Sequence, residues 1–479
     1  MDSARFALAI VLMVAVIVVA NLLFPPAKSQ RGVKGDTTHV SAPASPGTTS
    51  PAAAAQTPAA PPTAPPAATA TPSPAPRLLA EAPVTVVESP LYRYGVSSAG
   101  GSVVSAELLP YRSFTRRGPV QLAPRDLGPL LSYRVRAGAN TVDLRTLSFR
   151  AEPAGDLQLA KGSGPRTLRL VHEDSTVRAT IEYTFYPDEY TIAVRGNITT
   201  AAGTSQLLLE LPRSLAVNEA NPVEDYRTLD YVVNSDRDGI SSVSLDKIKE
   251  ERVEEGPLSW VAVKNKYFLF AAVEDTGRSP TPFGGLVARD AEARHAAELT
   301  ATMPISRDGS WSYRLYLGPQ DNKRLTAFGH DLQDVNPYGW RFLRPIIRPL
   351  SHMIIWAVQG MHEFLHLGYG WVLILFGVLI RVLLWPLNAK AMRSQLHNME
   401  LQPKLKEIQD RLKNDPERMQ KEVMKLYKEE GFNPLGGCLP MLIPMPVLFT
   451  LYFVFQATIE FRGVSFLWLP DLSQRDPLY

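Results

Sequence analysis

Residues Leu367–Leu387 read LGYGWVLILFGVLIRVLLWPL, a run in which Arg381 is the only charged side chain. At ~1.5 Å of rise per residue such a run reaches across the ~30 Å hydrocarbon core of a bilayer, so the chain is read first as a membrane protein. A lipid-facing charge deep in such a helix costs on the order of 2.5–3.5 kcal/mol on insertion scales. Arg381 therefore either faces a polar cavity or partner, or snorkels toward Leu387, about six residues or roughly 9 Å away. The first reading makes it a candidate site.

Working outward, two more segments have the composition of spans. Phe6–Phe24 is almost unbroken Ala, Leu, Ile and Val and is followed by Pro25 and Pro26 rather than a small-residue cleavage pattern. It is expected to be an uncleaved anchor over residues 1–24. Leu439–Ile459 is a third span within 435–459, although Pro440, Pro444 and Pro446 free carbonyls that neighbouring helices or water must satisfy. Tyr338–Leu367 mixes Arg341, Arg344 and Arg348 with Ile347, Ile354, Trp356 and Phe364, which suits a helix lying in the membrane interface over 338–366. Pro345 and Pro349 are expected to break its first part.

Residues 388–433 are polar and dense in Lys and Arg. Leu401, Leu405, Ile408 and Leu412 recur at helical spacing, as do Met419, Val423 and Leu426, on either side of Asn414-Asp415-Pro416. This predicts a two-helix hairpin, with Asp415 as cap, Pro416 in the first turn and Gly431 as stop. A short basic loop belongs on the cytoplasmic side, so the chain before Leu367 is extracytoplasmic. Lys28, Arg31 and Lys34 argue locally for the opposite orientation, but long translocated regions obey the charge rule poorly. Lys404, Lys406, Arg411 and Lys413 make the hairpin either a docking surface or a solvated pair drawn to anionic headgroups.

Between anchor and interfacial helix lie two contrasting regions. Residues 25–80 are Ala/Pro/Ser/Thr-rich, a composition unable to bury enough apolar surface to order itself, and read as a linker. Residues 81–335 carry short β-branched and aromatic runs between Gly, Pro and Asp: Val84–Val87, Thr167–Val171, Ala179–Tyr186, Tyr190–Val194, Leu207–Leu211, Trp260–Val263, Tyr267–Val273 and Tyr313–Leu317. Several alternate polar with apolar residues, which predicts a β-sandwich domain. The single cysteine, Cys438, excludes an intramolecular disulfide, so this exported domain must hold itself by its core. A net charge of +3 gives no support for nucleic acid as a partner.

Three motifs invite chemistry. His362-Glu363-Phe364-Leu365-His366 fits H-E-x-x-H, in which two imidazoles one turn apart hold zinc and the glutamate activates water. A membrane metalloprotease is therefore the alternative function, though no third ligand appears at a typical spacing and short motifs match by chance. Leu435-Gly436-Gly437-Cys438 resembles a lipoprotein cleavage box but lies deep in the chain. A carbohydrate-binding envelope module is a further class, and the β region shows no evident catalytic carboxylate pair. No cofactor, metal or catalytic residue is expected.

From Gly370 onward the chain resembles the YidC insertase family. The resemblance rests on the arginine-bearing span ending Pro386-Leu387, then Leu401-Gln402-Pro403-Lys404 and Leu426-Tyr427-Lys428. It continues through Asn433-Pro434-Leu435-Gly436-Gly437-Cys438-Leu439-Pro440, Met445-Pro446 and Asp471-Leu472-Ser473. Tyr313-Arg314-Leu315-Tyr316-Leu317-Gly318-Pro319 extends it upstream. The resemblance implies an α+β inner-membrane protein: an N-terminal anchor, a periplasmic β-supersandwich and a five-helix membrane core, of which this chain carries the first three spans. It implies insertion and folding of membrane proteins, alone or beside the Sec translocon, through a polar groove open to cytoplasm and lipid. Nascent membrane proteins, membrane lipids, and ribosome or signal-recognition components are the implied partners. Arg381 matches the groove arginine, and the resemblance carries Thr450 and Gln456 to the same groove. Gly377 and Pro444 stand where relatives often have a polar residue and a glutamine, so this groove is expected to be less polar.

Overall fold

The computed structural model describes residues 82–474 apart from 125, 202, 276–280, 340–342, 414 and 430–443. The expected anchor and linker, Gly431, and the Asn433–Pro440 motif with Cys438 lie outside the described residues.

Each of the eight β-like runs lies in or overlaps a strand of one of two sheets. A five-stranded sheet joins Val84–Glu88, Tyr92–Ser97, Val103–Arg112 and Pro119–Gln121 in antiparallel succession, with Leu157–Gln158 parallel to the first. A fourteen-stranded sheet holds the rest, and at its centre Phe268–Glu274 pairs with Arg252–Lys264 on one side and Ser310–Pro319 on the other. Alternation does what period-2 chemistry requires: along Val177–Phe185 every odd-numbered residue is buried and the even ones face outward. Phe268–Val273 is instead buried on both faces, and at its start Tyr111 packs edge-on against Phe268, 5.7 Å between ring centres. One apolar core runs between the sheets. In it Tyr92 stacks on Tyr94 at 4.0 Å, and Tyr133 bonds the hydroxyls of both Tyr183 and Tyr313 at 2.7 and 2.5 Å. These three hydroxyls are tolerated at this depth because each finds a partner.

Six α-helices occur among the described residues: α1 Pro222–Arg227, α2 Asn322–Phe328, α3 Arg344–Leu365, α4 Tyr369–Arg411, α5 Pro416–Glu429 and α6 Pro444–Ala457. One helix differs from expectation. The first part of α3 is not broken: Pro345 sits in its opening turn, where no N–H bond is lost, and Pro349 forfeits only the bond back to the Pro345 carbonyl. The expected span and the first arm of the hairpin, divided at residues 387/388, are one helix, since α4 runs unbroken through Pro386 and Pro403, roughly 65 Å at helical rise. The α4–α5 corner follows the capping chemistry: Asp415 Oδ1 accepts the Arg418 N–H at 3.1 Å and Pro416 opens α5.

Candidate functional site

Tyr369–Pro386 in α4 is the one helix segment among the described residues long and apolar enough to cross a membrane. Three helices meet around it. Ile354 and Val358 of α3, Val372 and Phe376 of α4, Val454 of α6 and Phe461 form a second, separate apolar cluster. Phe455 stands edge-on between Phe376 and Phe461, 6.5 and 5.7 Å away. The packed stripe of α4 is Tyr369, Val372, Leu373, Phe376 and Ile380, so at ~100° per residue Arg381 falls about 125° around the helix from its centre. Arg381 is exposed, roughly 18 Å along the helix from Tyr369. Its neighbours Val378, Leu379, Val382, Leu383 and Trp385 are exposed as well, so the charge stands in an apolar, uncovered surface.

The other two groove candidates divide. Gln456 is exposed on the side of α6 away from the cluster. Thr450 is fully buried in α6, its hydroxyl donating to the Pro446 carbonyl at 2.7 Å, the back-bonding a helical threonine uses when nothing else asks for it. Arg381 and Gln456 thus present polar groups outward while Thr450 serves its own helix. In the hairpin, Leu401 is buried and Leu405, Ile408, Leu412, Met419, Val423 and Leu426 are half-buried, whereas Lys404, Lys406, Arg411 and Lys413 are exposed.

The zinc alternative fails on geometry. His366 ends α3 in the left-handed region, φ 54°, so its imidazole does not share a helical face with His362. His362 Nδ1 lies 2.6 Å from the Leu367 carbonyl and its ring stacks on Tyr369, while Glu363 is paired with Lys323 of α2. Among the described residues no cluster of three or more His, Cys, Asp or Glu side chains suits a metal.

Sequence reasoning missed one contact that ties this helical part to the sheets. Arg462, just past α6, donates Nε to Glu219 Oε1 at 2.9 Å and Nη2 to the Arg112 carbonyl at 2.8 Å. Its guanidinium lies over Phe114 and Phe268, 4.4 and 5.4 Å from their ring centres. Both charged side chains are almost wholly buried, 3% and 8% exposed. Burial pushes the Glu219 carboxyl up to about 7 even though Arg462 pulls the other way, with Asp225 adding to the rise and Lys266 opposing it. The only sequence signal is a lone arginine directly after an apolar segment, which reads as a membrane-surface anchor rather than half of a pair.

Comparison with known proteins follows the same division of the molecule. The sequence profile described as "YidC periplasmic domain" matches residues 84–353, and that described as "60Kd inner membrane protein" matches residues 360–479. A protein of Chlorobium phaeovibrioides named "Membrane protein insertase YidC" is 32% identical over 413 residues, covering 82% of this chain and 68% of the relative. One of the same name from Cupriavidus metallidurans is 30% identical over 475 residues, covering 96% and 80%. A crystal structure titled "Active YidC insertase crystal structure with the first transmembrane domain resolved" aligns over 82% of this chain and 79% of its own, at 18% identity and TM-score 0.29.

Proposed function

Because the chain belongs to the YidC family of membrane protein insertases, we propose that it inserts and folds inner-membrane proteins, with nascent membrane proteins as its substrates. In this reading it acts by binding and by lowering an insertion barrier rather than by catalysing a covalent reaction. It does so alone or beside the Sec translocon, receiving chains from ribosomes or signal-recognition components. The observation that carries the mechanism is Arg381, exposed in the spanning part of α4 and turned off the face that packs on α3 and α6. A charge placed there stabilises local hydration and pairs briefly with acidic residues of a passing segment, shortening the apolar path that segment must cross. Gln456 and Thr450 complete the polar lining in this scheme, and Lys404, Lys406, Arg411 and Lys413 form the cytoplasmic docking face.

The expected result in cells depleted of their own insertase is selective. Arg381→Ala impairs single-span substrates with acidic translocated tails most, on the order of tenfold, and neutralising the tails restores much of the loss. Arg381→Lys, which keeps the charge but not the planar fork, is milder. Equal impairment of neutral-tailed and acidic-tailed substrates by a folded, abundant Arg381→Ala protein would remove the pairing role.

Membrane placement is tested separately. The proposal is a multi-pass protein of the inner membrane, its β domain in the periplasm, α3 lying in the interface with Trp356 and Phe364 outward, and the α4–α5 hairpin in the cytoplasm. Both Lys249 and Lys413 are exposed, so cysteines at either site are sterically open to reagent. In intact spheroplasts a membrane-impermeant thiol reagent should modify Lys249→Cys and spare Lys413→Cys. The reverse labelling would invert the topology.

A further inference from the structure

We propose that the tight turn Phe466-Leu467-Trp468-Leu469, just past α6, dips its tip into the outer leaflet of the bilayer and is held there by apolar contact with lipid chains. The turn closes on itself: the Phe466 N–H donates to the Leu469 carbonyl and the Leu469 N–H to the Phe466 carbonyl, both at 2.9 Å. Two residues therefore form the tip, Leu467 and Trp468, and they are 66% and 63% exposed. Leu467 has φ 52°, in the left-handed region where a Cβ is crowded and where two-residue turns take Gly, Asn or Asp. The bend just before it obeys that rule with Gly463 at φ 74°. At the tip a leucine holds the strained position although its side chain stands in the open, and strain of this kind collects at working sites.

The base of the turn is fixed. The Leu472 N–H donates to the Val464 carbonyl at 2.9 Å, and buried Asp471 accepts the Ser473 N–H and hydroxyl, each at 2.8 Å. Phe466 lies edge-on to Trp371, 5.3 Å between ring centres, and so close over Gly370 that a Cβ there would come within 2.1 Å of its ring. Gly370 and Trp371 open the apolar run of α4, so the tip stands beside the end of Tyr369–Pro386 that the proposed topology puts on the periplasmic side.

The surroundings select the partner. Only 17% of Tyr369–Pro386 is buried in the protein, which leaves its other faces to lipid, and the tip continues that uncovered surface. Trp371 is exposed, as are Phe364, Leu365 and Leu367 at the α3–α4 corner. Residues 463–470, Gly-Val-Ser-Phe-Leu-Trp-Leu-Pro, carry no ionisable side chain, and the flanking Arg462 and Asp471 are both turned into the protein. Tryptophan at the end of a span belongs to the boundary between headgroups and hydrocarbon, whereas a loop in water seldom shows a continuous apolar patch. Without a charge the tip selects no headgroup, so its insertion depends on acyl chains alone.

The proposal rests on the reading of α4 as a span, so the experiment reports on span and tip separately. In a Cys438→Ser background, nitroxide labels are placed at Leu467→Cys, at Val378→Cys in the exposed middle of Tyr369–Pro386, and at Lys249→Cys on the β domain. The whole chain is reconstituted into phosphatidylcholine vesicles. The quantity read is collision with oxygen, which partitions into lipid, relative to collision with a water-soluble nickel chelate. The ratio at Leu467→Cys should be several-fold higher than at Lys249→Cys and lower than at Val378→Cys, as for a side chain just inside the headgroups. It should not change in vesicles of equal parts phosphatidylcholine and phosphatidylglycerol, nor with added salt. Leu467→Asn suits the left-handed φ and keeps the turn, but should move a label at Trp468→Cys several-fold toward the aqueous ratio. An aqueous ratio at Leu467→Cys with Val378→Cys in lipid would remove the tip and keep the span, and an aqueous ratio at both would remove both. Shielding of Leu467→Cys from oxygen and nickel alike would put protein over the turn. That result, a ratio that follows phosphatidylglycerol, or a Trp468→Cys label indifferent to Leu467→Asn would overturn the proposal.

Discussion

Replacing Arg462 with alanine is expected to lower the unfolding temperature of the purified chain by roughly 10 °C at pH 8, and by clearly less at pH 5. Removing one partner of a buried ion pair strands the other, at about 3–5 kcal/mol, and in a domain of this size each kcal/mol moves the midpoint by about 2–4 °C. The pH dependence follows from Glu219. Its carboxyl is raised from an ordinary 4.5 to about 7. Between those values the folded chain holds a proton that the unfolded chain has released, so this group's contribution to stability is complete below 4.5 and is lost as pH rises through 7. Without the guanidinium, one of the influences holding that value down disappears and Glu219 titrates still higher. At pH 5 the variant therefore buries a neutral acid, whereas at pH 8 it must either bury an anion or hold a proton that the unfolded chain has released, and both cost stability. Adding Glu219→Gln should recover most of the pH 8 loss. A shift of the same size at both pH values would mean that Arg462 is held by its rings and the Arg112 carbonyl, not by the carboxylate.

Trp260→Ala should destabilise the β domain by about 3–5 kcal/mol, with little change at α3 to α6. Trp260 is fully buried in Arg252–Lys264, opposite Val273 on one side and Asn234 on the other. Its indole Nε1–H donates to the His330 carbonyl at 2.8 Å. Alanine leaves a cavity too rigidly walled to collapse and takes away that donor, and the two costs add. Trp260→Phe keeps most of the volume and should lose distinctly less. Thermal melts of both variants, followed by far-ultraviolet circular dichroism, read the difference directly. If alanine and phenylalanine cost the same, volume is not what the site demands.

What was legible in the chain is what repeats locally. Val177–Phe185 announces itself by period-2 alternation, and the eight aromatic or β-branched runs all lie in or overlap strands for that reason. Ala297–Pro304 did not stand out, because its inward positions include Ala297 and Ala301 and its outward ones Glu298, Thr300 and Thr302. Its alternation is real, but alanine carries little strand signal. The continuity of α4 is not announced by any periodic signal, because its apolar first half and polar second half differ in pattern, while Pro386 and Pro403 each remove a single hydrogen bond from a long helix. At the candidate site Arg381 was visible because a charge inside an apolar run is anomalous wherever the helix packs. Thr450 was not readable in the same way, since its partner is the Pro446 carbonyl one turn back rather than a groove. The Glu219–Arg462 pair depends on a long-range contact, and no window of sequence contains it.

The separation of Glu219 and Arg462 also makes their contact a matter of timing. They are 243 residues apart in a chain made from its N-terminus, at about 5–20 residues per second. For roughly 10–50 s after Glu219 has been synthesised its partner does not exist. The β domain can bury its own core in that interval, but the Glu219 site stays unfinished, with its acid protonated or open to water. The guanidinium arrives only after α3 to α6 have been made. By then α3 is already tied to the β domain through Arg344 and the Ile240 carbonyl, so closure of this pair comes after that contact, and a carboxylate placed early waits for a cation that comes late.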